Sequence, residues 1–202
     1  MSHGYSQFGE HLDIDELTGN APHGYACEVG AWNGVELSTT LHLEQRGWRV
    51  LCIEANPLMA GQLTMNRKLV KMVACGKENA AAQQDFHVIE SGKPGNYSAI
   101  SALSPDPNCP PQENAKEIGI FKVPVLTLDY LLKSVEFPRL DVLTIDVEGG
   151  EADVLAGFDI AWWSPKVIVL EDWKGGRYRD KMSVHGYHLY RRRNVNEVYC
   201  RA

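Results

Sequence analysis

The sequence predicts an α/β fold in three layers, a mostly parallel sheet with helices on both faces. Three observations carry that expectation. Strand-like and helix-like segments alternate along most of the 202 residues. The strand-like segments, "WRVLCIEA" at 48–55 among them, are nearly continuously apolar, as in strands covered on both sides. The chain closes on "GYHLYRRRNVNEVYCRA", two strands around a turn at Asn194 to Asn196 with no helix between them. A hairpin there makes one strand antiparallel within an otherwise parallel sheet.

Residues 1–24 read as a lead-in with a short helix around Phe8 to Leu17, closed by the turn cluster "TGNAPHG". "YACEVG" is the first strand. "GVELSTTLHLEQRG" spreads Val35, Leu37, Leu41 and Leu43 over one broad face, which predicts a helix from Gly34 to about Gly47. "WRVLCIEA" is the second strand. "NPLMAGQLTMNRK" is a second helix, with Asn56 as its cap and Pro57 in its first turn. "LVKMVACG" is a third strand and "QQDFHVIE" a further one. Residues 91–117 are rich in Gly, Pro, Ser and Asn and predict a long functional loop. "FKVPVLTLDYLLKSV" gives an extended piece, then a helix from about Thr127. "LDVLTIDVEGG" is a strand ending in acids, "EADVLAGFD" a helix, and "PKVIVLED" another strand ending in acids. No repeat or composition break divides the chain, so residues 1–202 are expected to form a single domain.

The net charge of −6 argues against general nucleic-acid binding, which needs a basic face. The run Arg191-Arg192-Arg193 is a local exception and reads as a solvated strand or loop. No apolar stretch approaches the ~20 residues of a membrane span, and the polar, acidic N-terminus does not resemble a secretory signal. The five cysteines are scattered and form no C-x-x-C pair, so no disulfide framework or zinc site is expected. A reducing, cytoplasmic setting fits this pattern.

Ligands of open α/β sheets sit at the carboxyl ends of the strands. The turn after the first strand reads Glu28-Val29-Gly30-Ala31-Trp32-Asn33-Gly34. Gly30 and Ala31 let a ligand approach the backbone. The G-x-G-x-x-G dinucleotide pattern places glycine at the third position and glycine or alanine at the sixth. Counted from Gly30, those positions hold Trp32 and Val35, which argues against NAD or FAD. Glu54 closes the second strand, where a carboxylate can accept hydrogen bonds from two ribose hydroxyls. Glu28 and Glu54 together predict a nucleoside cofactor. Asp146 interrupts the end of a core strand beside that cleft, and Glu148 lies two residues on. Glu171 and Asp172 end the next strand and with Asp146 are expected to form an acidic cleft. Glu151 and Asp153 suit a helix N-terminus. A carboxylate as general base and a divalent cation held by the acids both follow. Metal-independent catalysis is preferred and no metal ligands are assigned. His87, His185 and His188 are weaker base candidates, and Trp162, Trp163 and Trp173 read as packing residues.

The blocks "SQFGEHL", "CEVGAWNGVELSTTLHLEQRGWRVLCIEANP", "VLTLDYLL" and "LDVLTIDVEGGEADVLAGFD" together resemble the FkbM-type methyltransferases. The resemblance implies a class I methyltransferase (Rossmann-like) three-layer sandwich, its seven-stranded, mostly parallel sheet carrying an antiparallel last strand. It implies S-adenosylmethionine as donor and O-methylation of a sugar or another small-molecule hydroxyl. Glu28, Gly30, Ala31 and Gly34 match the cofactor turn, and Ser38 a contact to the cofactor carboxylate. Glu54, with Ala55 and Asn56, matches the ribose acid. Ala74 and Cys75 fall where the family lines the adenine site, and Gln7 in an element that covers the site. Asp146 and Glu148 match the fourth-strand acids, and Tyr97 and Ser98 fall among substrate-facing or cofactor-facing positions. Asp146, Glu148 and Glu171 are the catalytic candidates. Methylation of RNA or protein, a nucleotide-dependent oxidoreductase, and a non-catalytic nucleoside-binding module stay open as alternatives.

Overall fold

The computed structural model describes residues 5–90, 102–103 and 115–201. In chain order the elements are α1 (Glu10–Thr18), β1 (Tyr25–Val29), α2 (Leu41–Arg46) and β2 (Arg49–Glu54). A 3-10 turn (Pro57–Met59) leads into α3 (Ala60–Asn66), followed by β3 (Leu69–Met72), β4 (Ala74–Cys75), β5 (Gln84–Glu90) and β6 (Lys116–Val123). Then come β7 (Val125–Leu126), α4 (Leu128–Ser134), β8 (Val142–Ile145), α5 (Glu151–Ala156), α6 (Ile160–Trp163) and β9 (Val167–Glu171). The chain ends with α7 (Arg179–Val184), β10 (Tyr187–Arg193) and β11 (Asn196–Arg201).

Seven strands form one sheet in the order β10-β11-β9-β8-β1-β2-β3. Every pairing from β9 to β3 is parallel. The last strand, β11, lies antiparallel between β9 and β10. The expected three-layer architecture with a closing hairpin is therefore present.

The period-2 alternation of each strand explains the layers. Cys27, Val29, Leu51, Ile53, Leu143, Ile145, Ile168 and Leu170 pack on one face against α4 to α7. Ala26, Val50, Cys52, Val142, Val167 and Val169 point the other way, against Ile14 of α1, Leu43 of α2 and Leu63 of α3. With both faces covered, the central strands are buried almost throughout. Among the described residues no helix is long and apolar enough to cross a membrane.

Three local expectations are corrected. The helix predicted from Gly34 is only Leu41–Arg46. Trp32, Gly34 and Leu37 take left-handed backbone angles, and the Asn33 side chain accepts from the amides of Val35 and Glu36. That turn is incompatible with a continuous helix. The third strand splits: β3 stays in the main sheet, while β4 leaves it to pair with β7. The run Arg191 to Arg193 is not merely solvated, since Arg191 and Arg193 both reach the fully buried Asp13 of α1, at 2.6 and 2.7 Å.

Candidate functional site

A cleft of about 1090 Å³ of empty space, partly continuous with solvent, opens at the carboxyl ends of β1, β2 and β8. Its floor needs a glycine. Gly30 has φ of +87°, and a Cβ there would lie 1.7 Å from the backbone oxygen of Asp146. The turn is pinned from the other side, because the amides of Gly30 and Ala31 both donate to the Ile53 carbonyl, at 2.9 and 3.1 Å. Those amides are spent on the sheet and are not available to a ligand.

Glu54 stands at the tip of β2. Its carboxylate accepts from the amides of Trp32 and Asn56, each at 2.7 Å. Burial raises its pKa and these backbone donors oppose the rise. The two amides fix the orientation of the carboxylate, which lines the cleft. Asn56 caps the following 3-10 turn by accepting from the Leu58 amide, as the sequence predicts.

Glu28 is placed differently from a free ligand-binding acid. It lines the cleft, yet it accepts from the Ser38, Thr39 and Thr40 hydroxyls and the Thr39 amide, at 2.6 to 3.1 Å. It also meets Arg67 at 3.0 Å. Arg67 is fully buried and bridges on to Glu44 at 2.8 Å. Ser38 therefore belongs to the loop that wraps Glu28, not to a helix. Gly34 packs over Arg67, where a Cβ would approach its Cγ to 2.6 Å. Gly34 lies outside the cleft lining, as does the exposed Gln7.

The far wall is apolar. Val73, Ala74, Cys75, Phe86 and Leu103 line a slot, joined to Ala55 beside Glu54. The Cys75 thiol is pushed up to about 12 by burial, so it is a packing group there and not a nucleophile. Phe86 and Asn196 also line the cleft, and neither is assigned to the site from the sequence.

The acids divide. Asp146 faces the cleft and is exposed, Glu148 is nearly buried with φ of +57°, and Glu171 is 4 % exposed. The three offer carboxylate oxygens that all lie within 4.8 Å of one another. Enclosure and then neighbouring acids, Glu151 first for Asp146 and Asp146 first for Glu171, raise both pKa values. Asp172, expected in the same cleft, is elsewhere: its carboxylate accepts from the amides of Lys174 and Arg177 and shapes the loop after β9. Glu151 does more than meet a helix dipole, since it accepts from the amides of Val147 and Gly149, each at 3.1 Å. That holds the chain between β8 and α5.

The remaining candidates lie apart from the cleft. His87 pairs with Glu117 at 2.6 Å on the β5–β6 hairpin. His188 lies 3.1 Å from the Cys200 sulfur, and His185 caps α7. Trp163 is buried and donates to Asp129, Trp173 is half-buried, and Trp162 is 75 % exposed and not a packing residue. Tyr97 and Ser98 lie outside the described residues.

No curated protein matches the chain. Among solved structures, a precorrin-6y C5,15-methyltransferase from Geobacter metallireducens GS-15 is similar at 13 % identity, over 96 % of this chain and 87 % of that one, with a TM-score of 0.46. A candidate RNA methyltransferase from Pyrococcus horikoshii is similar at 11 % identity, over 95 % and 85 %, with a TM-score of 0.42. Both likenesses are distant. The family match is not: the model of the methyltransferase FkbM domain covers residues 28–190, which includes the turn at Gly30, Glu54 and all three clustered acids. The chain belongs to the methyltransferase FkbM domain family.

Proposed function

We propose that the protein is an S-adenosylmethionine-dependent methyltransferase acting on the hydroxyl oxygen of a small molecule, with a sugar as the leading class. The observation that carries the reading is the pairing of Glu54 with the apolar slot beside it. A carboxylate oriented by two backbone amides suits a ribose diol. A slot of Ala74, Cys75, Phe86 and Leu103 suits a flat, weakly polar base. The residues therefore fit an adenosyl cofactor.

The donor, once bound, supplies an electrophilic methyl on a sulfonium. Glu54 holds the ribose, and the wall from Val73 to Leu103 takes the base. Glu28 is already engaged by Arg67 and three hydroxyls, so it does not serve as a free acid for the donor's ammonium. Glu28 acts on the site indirectly, by fixing the loop from Trp32 to Thr40. Asp146 lines the cleft, with Glu148 and Glu171 clustered against it on the buried side, and a carboxylate there receives or directs the acceptor hydroxyl's proton. Positioning supplies most of the acceleration.

The RNA alternative loses its supporting feature, since Arg191 and Arg193 are committed to Asp13. Cys27, Cys52, Cys75 and Cys200 are all free thiols, which suits the reducing cytoplasm where we place the activity. The test is transfer of a labelled methyl from S-adenosylmethionine to a panel of sugars, phenols and other small alcohols, with RNA and protein acceptors beside them. Label on a small-molecule oxygen supports the reading. Label confined to RNA or protein overturns the acceptor class.

A further inference from the structure

The three clustered acids are brought together by topology. β8 and β9 are parallel neighbours, paired as far as Ile145 with Leu170. Asp146 and Glu171 each follow directly and stand side by side at the carboxyl end of the sheet. The left-handed turn at Glu148 returns a third carboxylate to the same point. Three anions so close repel strongly unless something closes the set.

Their surroundings separate them from the other buried acids. Glu28, Glu54 and Asp172 each have carboxylates that accept backbone or side-chain donors. Glu171 is different: it is 4 % exposed, and its Oε2 has no hydrogen-bond partner. The Trp173 indole lies beside Glu171 and eases its charge, yet its own N–H closes no hydrogen bond. A buried carboxylate oxygen left open is costly, about 1–3 kcal/mol or more for a charged group. An unpartnered oxygen in a set of converging carboxylates leaves a place for a positive ligand.

We propose that Asp146, Glu148 and Glu171 form a binding site for one divalent cation at the acceptor end of the cleft. All-oxygen, all-carboxylate donors select a hard ion of the magnesium or manganese class over zinc or copper. Glu171 anchors the ion from the buried side. Asp146 lies on the exposed side, so the open coordination positions face the cleft. An acceptor hydroxyl oxygen bound there has its pKa lowered, and its proton leaves through the cleft mouth to solvent. The ion's catalytic role rests on the methyltransferase reading above, whereas its binding does not.

The test uses the full-length protein stripped with a chelator and titrated with manganese chloride, with uptake followed by electron paramagnetic resonance. S-adenosylhomocysteine binding is measured by calorimetry on the same samples. The expected result is one saturable manganese site, displaced by magnesium. Glu171→Gln and Asp146→Asn weaken it by ~10-fold or more. Glu171→Gln retains S-adenosylhomocysteine affinity, which shows that its cleft is folded. No saturable uptake by the native chain overturns the proposal, as does uptake undiminished in both variants; a shared proton then closes the cluster. Manganese binding without S-adenosylhomocysteine binding upholds the cation site and sinks the methyltransferase reading. The reverse result sinks the cation site alone.

Discussion

At the scale of single residues, the account depends on Gly30, Glu54 and the acids around Asp146. A Cβ at Gly30 overlaps the Asp146 carbonyl, and the positive φ disfavours any other residue. Gly30→Ala is therefore expected to lower unfolding free energy by about 3 kcal/mol or more, measured by urea denaturation. Glu54→Ala removes the ribose acceptor. Its expected effect is a ~10–100-fold weaker S-adenosylhomocysteine affinity, the equivalent of lost hydrogen bonds to a charged group. The raised pKa values of Asp146 and Glu171 give a pH signature. An acid whose pKa is raised by folding binds its proton more tightly in the native state. Its contribution is fully present below the ordinary carboxylate range and is lost as pH rises through the raised value. In chelator, Glu171→Gln is thus expected to stabilise the protein at about pH 8 by about 1–3 kcal/mol, and to do little at about pH 4. Equal effects at both pH values would contradict the assignment. Glu54 and Asp146 were legible because an acid at the end of an apolar strand is conspicuous. The state of Glu28 was not: its buried partner Arg67 lies 39 residues away, in no local pattern.

At the scale of elements, the loop between β1 and α2 is the main departure from expectation. Val35 and Leu37 suggested a helical face, but both are exposed, at 42 % and 46 %. Ser38, Thr39 and Thr40 find a better partner in Glu28 than a helix would give them. A periodicity argument counts apolar spacing and cannot see a carboxylate already waiting below the loop. The Glu28–Arg67–Glu44 triad holds this loop, with the Arg67 side chain at 0 % exposure. Arg67→Ala leaves two nearly buried carboxylates without their cation, for an expected loss of about 3–5 kcal/mol. A denaturation midpoint within error of the native one would refute the role given to the triad. The same loop carries Trp32, whose amide orients Glu54, so a softer substitution, Thr40→Val, is expected to loosen cofactor binding more than it destabilises the fold. Parallel calorimetry and denaturation on that variant separate the two effects.

At the scale of the whole molecule, the sheet order was legible from alternation and from the closing hairpin. The attachment of α1 was not. Asp13 is fully buried and takes Arg191 and Arg193, while Glu10 accepts from Asn196 at 2.7 Å. These contacts join the first helix to the last two strands across nearly the whole sequence. Charge counting read the arginine run as a surface feature because the carboxylate that neutralises it is some 180 residues distant. Asp13→Asn is expected to speed amide hydrogen exchange in α1 at least about 10-fold while the central strands stay protected. Asn196 also lines the cleft, so this clamp ties the chain's two ends to the site. The central claim is that the cleft between Glu54, the apolar slot and Asp146 receives an adenosyl cofactor. Calorimetric titration of the native protein with S-adenosylmethionine, S-adenosylhomocysteine and NAD, each in separate runs, tests it most directly. Saturable binding of both adenosyl sulfur compounds with none of NAD is the expected result. Binding of NAD alone, or of none of the three with and without added magnesium, would contradict it.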